Sequence, residues 1–251
     1  MAMADWLSLS ESESRRFGLR VARHPIDAPP PAPEAILAAM RTLAADIAVL
    51  RFDAADRATP AALASLGAMP VYADTLVYYA RALDASLPAP TAAAATVRRA
   101  LPSDRQALER IAVRGFQDYR SHYGASACFP AAQVEAGYVE WALTHLQSTD
   151  PRDQTWLVEA ADGPAGFATL RTSADGRSVE ILLNAVLPEH QGRGLYRTLV
   201  AQALLACGAA GVERASVSTQ VWNTRVQQAW TALGFRLERA YSTYHLRGPQ
   251  A

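Results

Sequence analysis

From residue 186 to residue 196 the chain reads Val-Leu-Pro-Glu-His-Gln-Gly-Arg-Gly-Leu-Tyr, with two glycines and a cation where an apolar run gives way to helical spacing. A strand feeding a glycine-rich turn at a helix N-terminus aims several backbone N–H groups and the positive end of the helix dipole at one point, which suits a pyrophosphate. Gly192 and Gly194 lack a Cβ, so the backbone can approach phosphate oxygens closely, and Arg193 adds a charge-assisted contact. Such a turn is also built for geometry alone, and that reading stands beside the first. Just upstream, period-2 alternation sets Glu180, Leu182 and Asn184 on one strand face; Glu180 is then a candidate general base, with a solvated strand glutamate as its plain alternative. Phe116, Tyr119, Arg120, His122 and Tyr123, followed by Tyr138, Glu140 and Trp141, form a second group. It can stack on a sugar or base and bond hydroxyls, or its rings at helical spacing can make one buried face.

These groups need a scaffold. Residues 155–160, 166–172 and 179–187 are β-prone and are separated by Asp162-Gly163 and Asp175-Gly176, which predicts an antiparallel meander. Leu195, Leu199 and Ala203 then share a helix face that ends near Gly208 or Gly211, and residues 215–221 form the next strand. Asn223 is placed to cap a helix bearing Val226, Trp230 and Leu233, Gly234 stops it, and residues 235–246 return as a last strand. Before the meander, a strand begins at Val97 and helices are expected over 104–119 and 131–146. The N-terminal part reads as a strand over 17–23, a helix over 33–43, a strand over 47–52, a helix over 61–66 opened by Thr59-Pro60 and stopped by Gly67, and a strand over 71–79. The Pro-rich run 28–33 is a connector and 87–95 a boundary, which gives an N-terminal α/β unit over 1–90 and a second domain over 96–247.

At 251 residues, half of them hydrophobic, the chain can bury a large core. Its 24 Lys and Arg balance 24 Asp and Glu, so no global field draws it to nucleic acid or an acidic membrane. Cys128 and Cys207 lie far apart with no Cys-x-x-Cys or His-rich surroundings, so neither disulfide nor metal site is expected, and a reducing cytoplasm fits. Residues 1–14 are acidic and polar, unlike a secretory signal, and no apolar run approaches the roughly 20 residues that span a bilayer.

The stretch Gln191-Gly-Arg-Gly194-Leu-Tyr196 resembles the Gln/Arg-x-x-Gly-x-Gly/Ala signature of the GNAT superfamily of acyl-CoA transferases, and Asn223 and Gly234-Phe235 follow at the spacing common there. The resemblance covers roughly 97–246. It implies an α/β (α+β) chain whose C-terminal GNAT fold has a mixed, largely antiparallel twisted sheet flanked by helices. It also implies acetyl-CoA, held by Ala185, Val186, Leu187, Gln191, Gly192, Arg193, Gly194, Leu195 and Tyr196, with Asn223 and Trp230. Tyr196 departs from the signature's small residue, so its ring points away from the phosphates or contacts the cofactor. A Rossmann site is disfavoured because the strands before the turn are hairpin-linked.

In the resemblance, residues 180–186 look like the strand of histone-type enzymes whose glutamate is the general base, the position of Glu180. A carboxylate near its reference pKa of about 4.3 is a weak base, so it needs burial or a water relay. Backbone N–H groups near Ala185 and Val186 polarise the carbonyl if the strand splays there. Enzymes that protonate the thiolate with tyrosine carry it where this chain has Trp230, whose indole N–H does not serve. Tyr241 and Tyr244 are substitutes, and the product ammonium is another proton source.

The aromatic segments, residues 218–223 and the start near 16–18 resemble the TDP-fucosamine N-acetyltransferase-like branch, whose members act on an amine of a nucleotide-linked sugar. The resemblance implies a cytoplasmic N-acetyltransferase that acts on a primary amine of a small acceptor by direct attack in a ternary complex. Tyr119, Arg120, His122, Tyr123 and Asn184 are then acceptor contacts. The alternatives are acetylation of an antibiotic or protein amine, and a non-catalytic acyl-CoA binder. Residues 1–90 would shape the acceptor site or provide a homodimer surface.

Overall fold

The computed structural model describes residues 6–25, 31–83 and 95–248. Apart from residues 31–33 and Ala95, the connector over 28–33 and the boundary over 87–95 lie outside the described residues. The chain folds into two compact units, one made of Met1–Leu76, Arg120–Val134 and Arg239–Ala251, the other of Val77–Tyr119 and Glu135–Glu238. The architecture is the mixed α/β one expected, with mostly antiparallel strands and seven helices among the described residues.

In the first unit, β1 (Ser8–Leu9) leads into α1 (Glu11–Phe17) and β2 (Val21–Arg23). The strand expected over 17–23 therefore shrinks to three residues. Glu11 and Glu13 in the first turn of α1 and Arg15 and Arg16 in the last complement the helix dipole, and Gly18 closes the helix at φ 65°. Next come α2 (Pro33–Thr42), β3 (Ile47–Asp53), α3 (Ala58–Ser65) and β4 (Pro70–Ala82), whose second half belongs to the other unit. Ile36 and Met40, one turn apart on α2, are buried with Leu50, Phe52 and Leu63.

The second unit adds β5 (Thr96–Arg99), α4 (Arg105–Phe116), α5 (Ala131–Leu146), β6 (Asp153–Ala160), β7 (Gly163–Thr172), β8 (Ser178–Val186), α6 (Leu195–Ala209), β9 (Arg214–Gln220) and α7 (Thr224–Ala232). Its strands lie in the order β4–β9–β8–β7–β6–β5. The two Asp-Gly turns join β6, β7 and β8 into the antiparallel meander, and β9 adds parallel to β8. One core cluster carries α6 (Leu199, Ala203, Leu204) on Ala168, Leu170 and Ile181. Another carries α4 and α5 (Leu108, Ile111, Ala142) on Leu157, Phe167 and Leu183. A Cβ on Gly115 would sit 2.6 Å from that of Ala185, so this glycine lets α4 close onto β8. The helix expected to reach 119 ends at Phe116, because Gln117 is extended and Asp118 takes φ 57°.

The last strand, β10 (Arg236–Arg247), returns to the first unit from residue 239 onward. There it pairs antiparallel with β3, from Tyr241 opposite Asp53 to Arg247 opposite Ile47, while β2 flanks β3 in parallel.

Candidate functional site

The strand before the glycine turn is irregular at one residue. In the β7–β8 ladder Thr169 faces Leu183 and Leu170 faces Ile181, so Leu182 has no opposite number and forms a β-bulge. The Thr169 hydroxyl fills the break, accepting the Leu183 N–H at 3.1 Å and donating to the Leu183 carbonyl at 3.3 Å. The bulge turns the strand over. Val179 and Ile181 pack under α6, whereas Leu183 and Ala185 pack under α4 and α5. Simple alternation had put Glu180 and Asn184 on one face; the bulge puts them on opposite faces.

The parallel β8–β9 ladder runs from Ser178 opposite Arg214 to Ile181 opposite Val217, and both strands continue beyond it. Leu183, through Thr169, and Leu187, whose N–H donates to Ala165 at 2.9 Å, both address β7. By alternation, Asn184 and Val186 turn their backbone groups toward the edge where the β9 pairing has ended. Two N–H donors thus face an opening between strands, the arrangement that polarises a carbonyl.

The turn follows directly. Pro188–His190 makes one 3-10 turn, Gly192 and Gly194 both take φ 79°, and α6 starts at Leu195. That left-handed conformation favours glycine at both positions. The Gln191 side chain folds back, donating to the Val186 carbonyl at 3.2 Å and accepting from Arg225 at 3.0 Å. Arg193 and Arg225 are both exposed, and an Arg225 guanidinium nitrogen would lie 3.7 Å from a Cβ on Gly192. The first N–H groups of α6 have no intrahelical acceptor, so the helix end, the two glycines and the Arg225 guanidinium bring together the donors that a diphosphate needs. Sequence reasoning missed Arg225, whose place is visible only through its bond to Gln191.

Two side chains behind the turn are engaged in the core. Trp230 is 1% exposed, and its indole N–H donates to the Tyr196 hydroxyl at 2.6 Å. The Tyr196 ring packs on the α6 core, and burial raises its hydroxyl pKa. Asn223, at the N-cap position of α7, makes no side-chain cap; its amide donates instead to the Thr219 hydroxyl at 3.1 Å.

At the end of β9, the Tyr119 hydroxyl donates to the side chain of buried Gln220, and the Tyr119 ring lies 5.7 Å from half-exposed Trp222. Phe116 stacks on Tyr138 at 4.8 Å and 11°. These rings form a row from buried Phe116 out to Trp222. Tyr123 belongs to a different cluster, with Phe17 and Phe129 in the first unit, because the chain leaves helical geometry after Phe116. Arg120 is exposed.

His122 and Tyr123 enter a polar network within the first unit. Arg23 pairs with buried Glu13, and Tyr123 donates to the same carboxylate while accepting from Arg23 at 3.0 Å. His122 Nε2 is 3.4 Å from Arg23, His122 Nδ1 is 3.0 Å from His245 Nε2, and His245 Nδ1 is 2.7 Å from the Ser126 hydroxyl. Burial pushes the Glu13 pKa up, but the bond and charge of Arg23, then Tyr123 and Ser10, hold it down at about 2. Burial and then Arg23 keep both imidazoles neutral, with His245 at about 4. Burial pushes the Tyr123 hydroxyl up to about 12. Tyr241 and Tyr244 lie on the first unit's part of β10, Tyr244 packed on Tyr72 at 5.8 Å and Tyr241 accepting from Arg239 at 3.3 Å. Glu180, Asn184 and the whole 185–196 stretch belong to the second unit.

Among the described residues, no helix is long and apolar enough to cross a membrane, and no three His, Cys, Asp or Glu side chains are grouped as a metal site requires. The acetyltransferase (GNAT) family matches residues 116–235. No match is found among curated proteins. Among solved structures, a GCN5-related N-acetyltransferase from Sphaerobacter thermophilus is 19% identical at TM-score 0.59, covering 79% of this chain; this chain spans 59% of that protein. One from Kribbella flavida is 16% identical at TM-score 0.59, with 92% of this chain and 82% of that one covered. A tandem GNAT protein from the clavulanic acid biosynthesis pathway is 16% identical at TM-score 0.58, with coverage of 93% and 77%. At these identities the likeness establishes the fold.

Proposed function

On the premise that the chain carries an acetyltransferase domain of the GNAT family, we propose that it is an acetyl-CoA-dependent N-acetyltransferase of a small amine. The acceptor in this reading is a nucleotide-linked amino sugar, as in the TDP-fucosamine-like branch, and the work is cytoplasmic. The carrying observation is that β8–β9 pairing ends at Ile181, just ahead of a turn with two left-handed glycines and two exposed arginines. Acetyl-CoA supplies the activated acetyl thioester. The 96–247 domain is read as the catalytic one and the N-terminal stretch as accessory.

The turn and the first N–H groups of α6, with Arg193 and Arg225, bind the diphosphate, and the Asn184 and Val186 N–H groups hold the thioester carbonyl. Glu180, directly or through water, takes the proton from the acceptor ammonium so that the free amine attacks. After attack the acceptor nitrogen is again positively charged and would give that proton to the departing thiolate; the Phe variants of Tyr241 and Tyr244 test the phenol alternative. Tyr119 and Arg120 are read as the acceptor contacts; the Trp222 ring lies beside Tyr119, and an exposed ring suits stacking on a sugar or base.

Thiol release from acetyl-CoA with TDP- and UDP-linked amino sugars, aminoglycosides and lysine peptides tests the reading. Rapid release with a nucleotide-sugar supports it. Release only with aminoglycosides or peptides moves the substrate to those classes, and acetyl-CoA binding with no release from any amine would mark a binding module.

A further inference from the structure

The segment 120–134 is inserted between α4 and α5 of the second unit, yet it folds as part of the first. Its neck is fixed in the second unit, where the Asp118 N–H donates to the Glu135 carboxylate at 3.0 Å. Its body is fixed in the first unit by the polar network around His122. Arginine has only donors, so His122 Nε2, 3.4 Å from Arg23, must accept, and the His122 proton sits on Nδ1. That proton is donated to His245 Nε2, which places the His245 proton on Nδ1, donated in turn to the Ser126 oxygen. The direction of the chain is set by a single cation, and Arg23 is itself anchored by Glu13 and Tyr123. Arg51, which bonds the Thr243 hydroxyl at 3.4 Å, adds a second positive charge near both rings. Ser126, His122 and His245 are each less than a tenth exposed, so water does not compete for these bonds.

We propose that the chain Arg23–His122–His245–Ser126 is a positioning device that holds the loop 120–134, and with it Arg120 at the start of the loop, in one geometry. The role of the loop at the acceptor rests on the function proposed above; the hydrogen-bond chain does not. His122 and Tyr123 act in this account as positioning residues.

Long-range proton–nitrogen correlation on the full, 15N-labelled chain reads the tautomers directly. Both imidazoles are expected neutral, with Nδ1 protonated and Nε2 bare, from about pH 5.5 to 8. Arg23→Gln and Ser126→Ala should speed amide hydrogen exchange over 120–130 by about tenfold or more while α6 is unchanged. With whichever amine in the panel supports thiol release, both variants should raise the acceptor KM about fivefold or more and leave the acetyl-CoA Kd within about twofold, and Arg23→Lys should retain part of what Arg23→Gln loses. If Arg23→Gln does not fold, Ser126→Ala leaves the Arg23–Glu13 pair intact and carries the test. An Nε2-protonated ring, unchanged exchange in the loop, or an unchanged acceptor KM despite a released loop overturns the proposal. Silence across the amine panel counts against the acetyl-transfer reading, whereas tautomers and exchange rates still decide the hydrogen-bond chain.

Discussion

The indole N–H of Trp230 donates to the hydroxyl of Tyr196 at 2.6 Å, so the first turn of α6, directly after the glycine turn, is tied to the core of the second unit through α7. Tyr196 stands where the family signature has a small side chain, and Trp230 accommodates the difference by supplying a donor to a phenol that burial has cut off from water. Trp230→Phe leaves that oxygen without its donor, at a cost of about 1–3 kcal/mol. Thermal unfolding should show the loss, with a modest rise in the acetyl-CoA Kd. An unchanged Tm would mean the bond contributes nothing net.

Arg225 should matter for the cofactor and not for chemistry. Arg225→Met is expected to weaken acetyl-CoA binding by about three- to tenfold, mostly at low salt, with kcat nearly unchanged. Calorimetric titration at two ionic strengths measures it. A drop in kcat without a change in affinity would place Arg225 elsewhere in the reaction.

Glu180→Gln should lower turnover by roughly a hundredfold or more and hardly alter acetyl-CoA affinity, since a general base acts only in the transition state. Wild-type rates in the variant across the pH range would remove Glu180 as base.

Acid should destabilise the first unit. Glu13, held at about 2, stays ionised in the folded chain where the unfolded carboxyl, near 4.3, takes a proton. Its contribution is full above about pH 5 and is lost as pH falls toward 2, and it amounts to about 3 kcal/mol at most. His245, lowered to about 4, stays neutral where the unfolded imidazole, near 6.5, becomes charged, so loss from this group begins at about pH 6.5. The two act in the same direction. Tm should fall steadily between about pH 7 and 4.5, and His245→Asn should flatten the upper part of that fall. A Tm independent of pH in that window contradicts the account.

Local signals were the readable ones. Asp162-Gly163 and Asp175-Gly176 predict the meander because a tight turn is set by the residues in it. The bulge at Leu182 was not readable, because it depends on the hydroxyl of Thr169 in the neighbouring strand. Helix α1 was missed because its seven residues bury mainly Glu13, leaving no apolar period to find. The placement of 120–134 in the first unit rests on Arg23 and His245, contacts about a hundred or more residues away in sequence, which no window along the chain can register.

The pairing of β3 with β10 bears on how the protein is made. The N-terminal elements leave the ribosome with β3 bare along one edge, and its partner strand is synthesised only after the whole second unit. A fragment cut before residue 95 would carry that open edge permanently, so it should be aggregation-prone when expressed alone and fold only with the strand that closes it.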